Sequence, residues 1–193
     1  MLPDGSSLVL ASQSPQRRAI LEALGVSFVV RVPAYAELEQ GDPAEVAVGN
    51  AVGKASAVSR AGGETVVAVD TVVSLGGRLW GKPLDDGEAR ATLAALSGRT
   101  HVVVSGVAVL GDEGFATGTC ATEVRFRKLS TGLLDWYLAG GEWRERAGGY
   151  AIQGAGSALV ASIAGDFTNV VGLPVGVLLE LLPGLLEATP DTA

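Results

Sequence analysis

Thr65 to Leu75, TVVAVDTVVSL, is the most strand-like segment of the chain, and it carries a carboxylate at its centre. Apolar residues flank Asp70 on both sides, and a carboxylate is costly to bury unless it has a partner or a metal. Two readings stand open. Either Asp70 lies on an edge strand and points outward by alternation, or it serves as a metal ligand, a general base, or both. Gly76-Gly77 reads as a two-residue hairpin turn, and Arg78 to Trp80 begins the return strand.

The rest of the chain alternates. Ser7–Ala11 reads as a strand that runs into a helix over Gln16–Leu24, with Ser14 as its cap, Pro15 in the first turn and Gly25 at its end. Residues 26–33 read as a strand, followed by an acidic loop with Glu37 and Glu39. Asp42-Pro43-Ala44-Glu45 starts a helix that carries Lys54 and runs to about Arg60. A helix over 85–96, strands near 100–111 and 117–127, a short helix over 131–139, a strand over 158–163 and a final helix over 175–186 complete the pattern. Hairpins among the strands make the sheet mixed, in an α/β or α+β domain with flanking helices. The expected division is one domain over 1–187 and a loose tail over 188–193.

Composition excludes several classes. The formal net charge is −7, so no basic face for a nucleic-acid polymer is expected. With one His and one Cys, no Cys/His zinc site can be built. Cys120 reads as a small buried strand residue, and His101, in a strand-like run, as a poor candidate for a nucleophilic triad. No apolar stretch is long enough to span a membrane, and the start of the chain has no secretory pattern, so a cytoplasmic protein is expected.

Three further groups carry chemistry. Ser12-Gln13-Ser14-Pro15-Gln16-Arg17-Arg18 places hydroxyls and guanidiniums at a strand-to-helix junction, where free N–H groups and the helix dipole favour anions. First-turn arginines oppose that dipole unless an anion compensates, and arginine suits phosphate through its paired donors. Glu37, Lys54 and Lys82 are candidates to converge on Asp70, though spacing alone does not bring them together. Gly148 to Gly156 forms a glycine-rich loop in which Gln153 offers one donor and one acceptor to a base edge. The loop matches neither a Walker motif nor the dinucleotide pattern.

In order along the chain, Leu10-Ala11-Ser12-Gln13-Ser14-Pro15 with Arg17, then Val69-Asp70-Thr71-Val72-Val73, Gly81-Lys82-Pro83, Ser97-Gly98-Arg99-Thr100-His101, Ala147 to Gly154, and Asn169 to Pro174 resemble the motifs of the Maf family of nucleotide pyrophosphatases. The resemblance implies two lobes around a cleft, a fold related to that of inosine-triphosphate pyrophosphatases, and a homodimer. It implies hydrolysis of a nucleoside triphosphate between its α- and β-phosphates, assisted by Mg²⁺ or a similar divalent ion such as Mn²⁺ or Co²⁺. The family's catalytic aspartate falls on Asp70. Its phosphate- and metal-handling residues fall on Ser12, Arg17, Glu37, Lys54 and Lys82, with Glu37 and Asp70 as metal ligands. Its substrate-selecting positions fall on Gln16, Thr71 and Gln153. Members selective for dTTP and UTP carry a second arginine where this chain has Gln16. Members selective for 7-methyl-GTP lack the glutamine found here as Gln153. The chain leans to the pyrimidine type. A non-catalytic nucleotide sensor in cell division, a 7-methyl-GTP-selective pyrophosphatase and a phosphatase that removes the terminal phosphate are the rival readings.

Overall fold

The computed structural model describes residues 7–187. Strands β1 (Leu8–Ala11), β2 (Phe28–Arg31), β3 (Thr65–Leu75), β4 (Arg78–Trp80), β5 (Thr100–Gly111), β6 (Gly114–Phe126) and β7 (Val160–Ala164) form one mixed sheet in the order β2-β1-β3-β5-β6-β7, with β4 beside β3. The helices are α1 (Pro15–Ala23), α2 (Pro43–Ser56), α3 (Asp86–Leu96), α4 (Thr131–Ala139), α5 (Phe167–Val171) and α6 (Val175–Leu181). Strand β1 is parallel to both β2 and β3; the β3–β5–β6–β7 pairings are antiparallel.

Strand alternation sorts the side chains into layers. Val9, Ala11, Val66 and Ala68 pack against Ala55 of α2 on one face. On the other, Leu8, Leu10, Val67, Val69, Val107 and Val109 pack against Leu21 of α1 and Leu178 of α6. Further along the same strands, Val73 and Val103 join Val124 and Phe126 in a third cluster under α3 and α4. The first two groups cover the two faces of one lobe and the third is the core of the other; the lobes share β3 and β5.

The sheet has a gap between the lobes. On the side away from β5, residues 65–67 of β3 pair with β1 and residues 73–75 pair with β4. Among the described residues no strand pairs with 68–72 on that side. From β1 the chain reaches β2 through α1 and β3 through α2, so the carboxyl end of β1 is a topological switch point, where open sheets bind ligands.

Several boundaries differ from the expectation. Helix α2 ends at Ser56 rather than near Arg60, and α6 at Leu181 rather than Leu186. Strand β6 begins at Gly114, because its hairpin with β5 turns tightly at Asp112-Glu113. Helix α5, capped by Asp166, was not foreseen. The tail over 188–193 lies outside the described residues. No helix among the described residues is long and apolar enough to cross a membrane.

Candidate active site

Asp70 lies on the stretch of β3 that is paired on one side only, yet it is 5% exposed, so its side chain does not point outward to solvent as the edge-strand reading requires. Its side chain faces α2. Gly106, its register partner on β5, clears the way: a Cβ there would lie 2.4 Å from the carbonyl carbon of Ala47, so only a glycine lets α2 settle this close. Helix α2 then meets the carboxylate with two polar side chains. Lys54 Nζ donates to Asp70 Oδ1 at 2.5 Å, and Asn50 Nδ2 donates to Asp70 Oδ2 at 2.9 Å. Lys54 Nζ also lies 2.5 Å from Glu37 Oε1. One buried ammonium therefore gathers two carboxylates, one from the central strand and one from an exposed loop.

Thr71, one residue on, faces the opposite side. Its Oγ1 lies 2.9 Å from Ser105 Oγ and accepts from Arg17 Nη2 at 3.2 Å. Arg17 also donates through Nη1 to Ser12 Oγ at 3.2 Å and through Nε to the Gly172 carbonyl at 2.8 Å. The guanidinium thus ties α1 to β3 and to the turn between α5 and α6. Burial pushes it below its usual value, against the opposing pull of the Asp70 and Glu37 carboxylates.

Ser14 occupies the cap position of α1 but makes no capping bond through its side chain. Its hydroxyl donates to Gln16 Oε1 instead, and Ser12 Oγ accepts from the Ser14 N–H. The hydroxyl expected to cap is turned onto its neighbour, which leaves the first-turn N–H groups without a side-chain acceptor.

Lys82 is exposed and follows the end of β4. Strands β1 and β4 run toward the gap beside residues 68–72 from opposite ends, so Ser12 and Lys82 approach it from the two lobes. The glycine loop is anchored to the same turn: the Gly148 N–H donates to the Gly81 carbonyl at 3.0 Å. Gln153 is exposed and takes no part in the Asp70 or Arg17 networks. The segment after it is fixed by Glu142, whose carboxylate accepts from the N–H groups of Ala155 (3.0 Å) and Gly156 (2.7 Å).

Asn50, Ser105, Glu142 and the Gly172 carbonyl were not singled out from the sequence. Asn50 had one signal available: it lies four residues before Lys54, on the same face of a helix otherwise lined by alanine and valine. His101 is a core residue, bonded to the Tyr150 hydroxyl at 2.8 Å and packed edge-on against Phe126 and Tyr150. Cys120 is half-buried rather than buried, because β7 pairs only with the far end of β6 and leaves this half of the strand uncovered.

Among the described residues no three His, Cys, Asp or Glu side chains converge on one point. Glu37 and Asp70 each lie 2.5 Å from the Lys54 ammonium, and Mg²⁺ is commonly held by one or two carboxylates together with substrate phosphates. The donor set of Glu37 and Asp70 fits such an ion.

A family model described as Maf-like protein matches residues 7–185. A dTTP/UTP pyrophosphatase from Myxococcus xanthus is 48% identical over 94% of this chain and 94% of its own length. Proteins of the same name from Deinococcus radiodurans (44% identical, 92% of each chain) and Pyrococcus furiosus (42%, covering 91% of this chain and 93% of that one) are also similar. Among solved structures, a HAM1 protein from Coxiella burnetii aligns over 95% of this chain and 100% of its own, with a TM-score of 0.49 and 18% identity.

Proposed function

The chain belongs to the family of Maf-like proteins, and from that premise we propose that it is a nucleoside triphosphate pyrophosphatase acting on dTTP and UTP. The observation that supports the chemistry best is the meeting of Glu37 and Asp70 at the Lys54 ammonium, beside the unpaired stretch of β3. Cleavage of a phosphoanhydride needs an oriented water and neutralised charge more than a covalent nucleophile. In this reading Asp70 orients the water and takes its proton. The water oxygen bonds to the α-phosphorus, the bond from that phosphorus to the α–β bridging oxygen breaks, and pyrophosphate leaves with that oxygen. Glu37 and Asp70 would hold a divalent cation (Mg²⁺, Mn²⁺ or Co²⁺), which when bound supplies positive charge against the triphosphate.

Arg17, Lys54 and Lys82 meet the charge that develops on the departing pyrophosphate. Two donors of Arg17 remain beyond the three already used, and Ser12 offers its hydroxyl beside them. Gln16, Thr71 and Gln153 read the base. The same reading takes residues 1–187 as one catalytic domain, working in the cytoplasm as a homodimer without a nucleic-acid or membrane partner, and sedimentation at micromolar concentration tests the dimer.

The deciding experiment incubates the protein with Mg²⁺ and a panel of triphosphates and identifies the products. Thymidine or uridine monophosphate with pyrophosphate is expected. Orthophosphate with a diphosphate, or no turnover of any triphosphate, overturns the assignment. Asp70→Asn should lower kcat by about 10²-fold or more, the scale of general acid–base catalysis.

A further inference from the structure

Helix α2 presents Gly49, Asn50, Gly53 and Lys54 on one face, and the segment that carries Glu37 lies along it. A Cβ on Gly53 would sit 2.1 Å from Cζ of Tyr35, and one on Gly49 would sit 3.3 Å from Cδ1 of Leu38. The two glycines are thus the seats of Tyr35 and Leu38, the residues on either side of Ala36-Glu37. Between the seats, Asn50 makes three bonds. Its Oδ1 accepts from the Leu38 N–H at 2.7 Å, and its Nδ2 donates to the Leu38 carbonyl at 3.0 Å and to Asp70 Oδ2 at 2.9 Å.

The reciprocal pair with the backbone of Leu38 settles the orientation of the amide. A flipped amide would set NH₂ against N–H and oxygen against carbonyl. The same orientation aims an N–H, rather than an oxygen, at Asp70. Asn50 is 1% exposed, so no water replaces a bond it loses.

We propose that Asn50 is the positioning residue of this site. It clamps the acidic loop to α2 and sets the rotation of the Asp70 carboxylate, so that Glu37 and Asp70 arrive at one point from two different elements. The inference rests on the reading of Glu37 and Asp70 as the pair that holds the divalent cation.

The test compares wild type, Asn50→Leu, Asn50→Asp and Asp70→Asn. Three quantities are measured: Mn²⁺ binding to the nucleotide-free protein by calorimetry, hydrogen exchange at the Leu38 amide, and kcat as a function of Mn²⁺ concentration. Asn50→Leu keeps the bulk and removes every bond. Asn50→Asp keeps the acceptor for Leu38 N–H but turns an oxygen toward both the Leu38 carbonyl and Asp70. Asn50→Leu should weaken Mn²⁺ binding by about 10- to 100-fold, the scale for partners that orient metal ligands, while Asn50→Asp, which adds an oxygen ligand of its own, should still lose kcat at saturating Mn²⁺ because Asp70 is turned. Leu38 exchange should accelerate in Asn50→Leu, and kcat at saturating Mn²⁺ should fall far less than in Asp70→Asn. Should folded Asn50→Leu bind Mn²⁺ as wild type does, with Leu38 protection unchanged, or Asn50→Asp keep the wild-type kcat, Asn50 is ordinary helix packing and the inference fails. Should Asp70→Asn itself retain Mn²⁺ binding and turnover, the underlying assignment of the carboxylates fails instead.

Discussion

Replacing Lys54 with methionine should cost this protein more stability than any surface change could. The side chains of Lys54 and Asp70 are 9% and 7% exposed, and their ion pair spans 2.5 Å. Breaking a buried pair by removing one partner costs about 3–5 kcal/mol, because the other charge stays buried without compensation. Asp70 retains the Asn50 donor, so Lys54→Met should fall near the lower end, about 3 kcal/mol. The reverse change is milder. In Asp70→Asn, Lys54 still has Glu37, whose side chain is 38% exposed, and a loss of about 1–2 kcal/mol is expected. The double variant removes both buried charges, and its loss should fall short of the sum of the singles by about 2 kcal/mol. Urea unfolding of the four proteins at pH 7, in chelator and without nucleotide, measures the cycle. A Lys54→Met protein within about 0.5 kcal/mol of wild type, or singles that simply add, would refute the dependence of Asp70 on its ammonium partner.

Arg17→Lys keeps the charge but cannot reproduce three bonds at fixed angles; it should lose about 1–3 kcal/mol of stability and at least tenfold in kcat/KM for dTTP, and unchanged values for both would remove Arg17 from site and scaffold alike. Gln153→Glu should lower kcat/KM for dTTP and UTP by about 10- to 100-fold with little change in stability, since the side chain is exposed; wild type should turn over other triphosphates measurably and 7-methyl-GTP little, and a preference for 7-methyl-GTP would end the base-reading role. Burial holds His101 at about 4, below its ordinary 6.5, so the folded protein keeps it neutral while the unfolded chain takes up a proton. Its stabilising contribution is complete above pH 6.5 and is lost as pH falls toward 4, by up to about 3 kcal/mol; urea midpoints of wild type and His101→Phe across that window should diverge in slope, and parallel curves would disprove it.

Asp70 was legible because a carboxylate in the middle of an eleven-residue apolar strand demands a partner, and the structure supplies two. The hairpin at Gly76-Gly77 and the starts of α2 and α3 were legible for a similar reason, since the glycines at the turn and the capping aspartates act within a few residues of themselves. Asn50 was only half legible: its place four residues before Lys54 puts both on one helix face, but its bonds to the backbone of Leu38, twelve residues earlier, follow from no spacing rule. The partner of Ser14 was hidden too: the cap position predicts a bond to the first-turn N–H groups, whereas its hydroxyl donates to Gln16 and the inward contact with Arg17 falls to Ser12. Helix α5 spans five residues, too short to show a periodic apolar face.

The sharing of β3 and β5 by both lobes has a mechanical consequence. Val69 and Val107 belong to one cluster, Val73 and Val103 to the other, and each pair is four residues from its counterpart on the same strand. No loop separates them, so there is no hinge at which one lobe could swing freely past the other. Any motion of one lobe against the other would have to be carried by the coiling of two long, hydrogen-bonded strands, like a leaf spring rather than a door. Melting either lobe strips the strands that the other needs, and the molecule should unfold in calorimetry as a single cooperative unit.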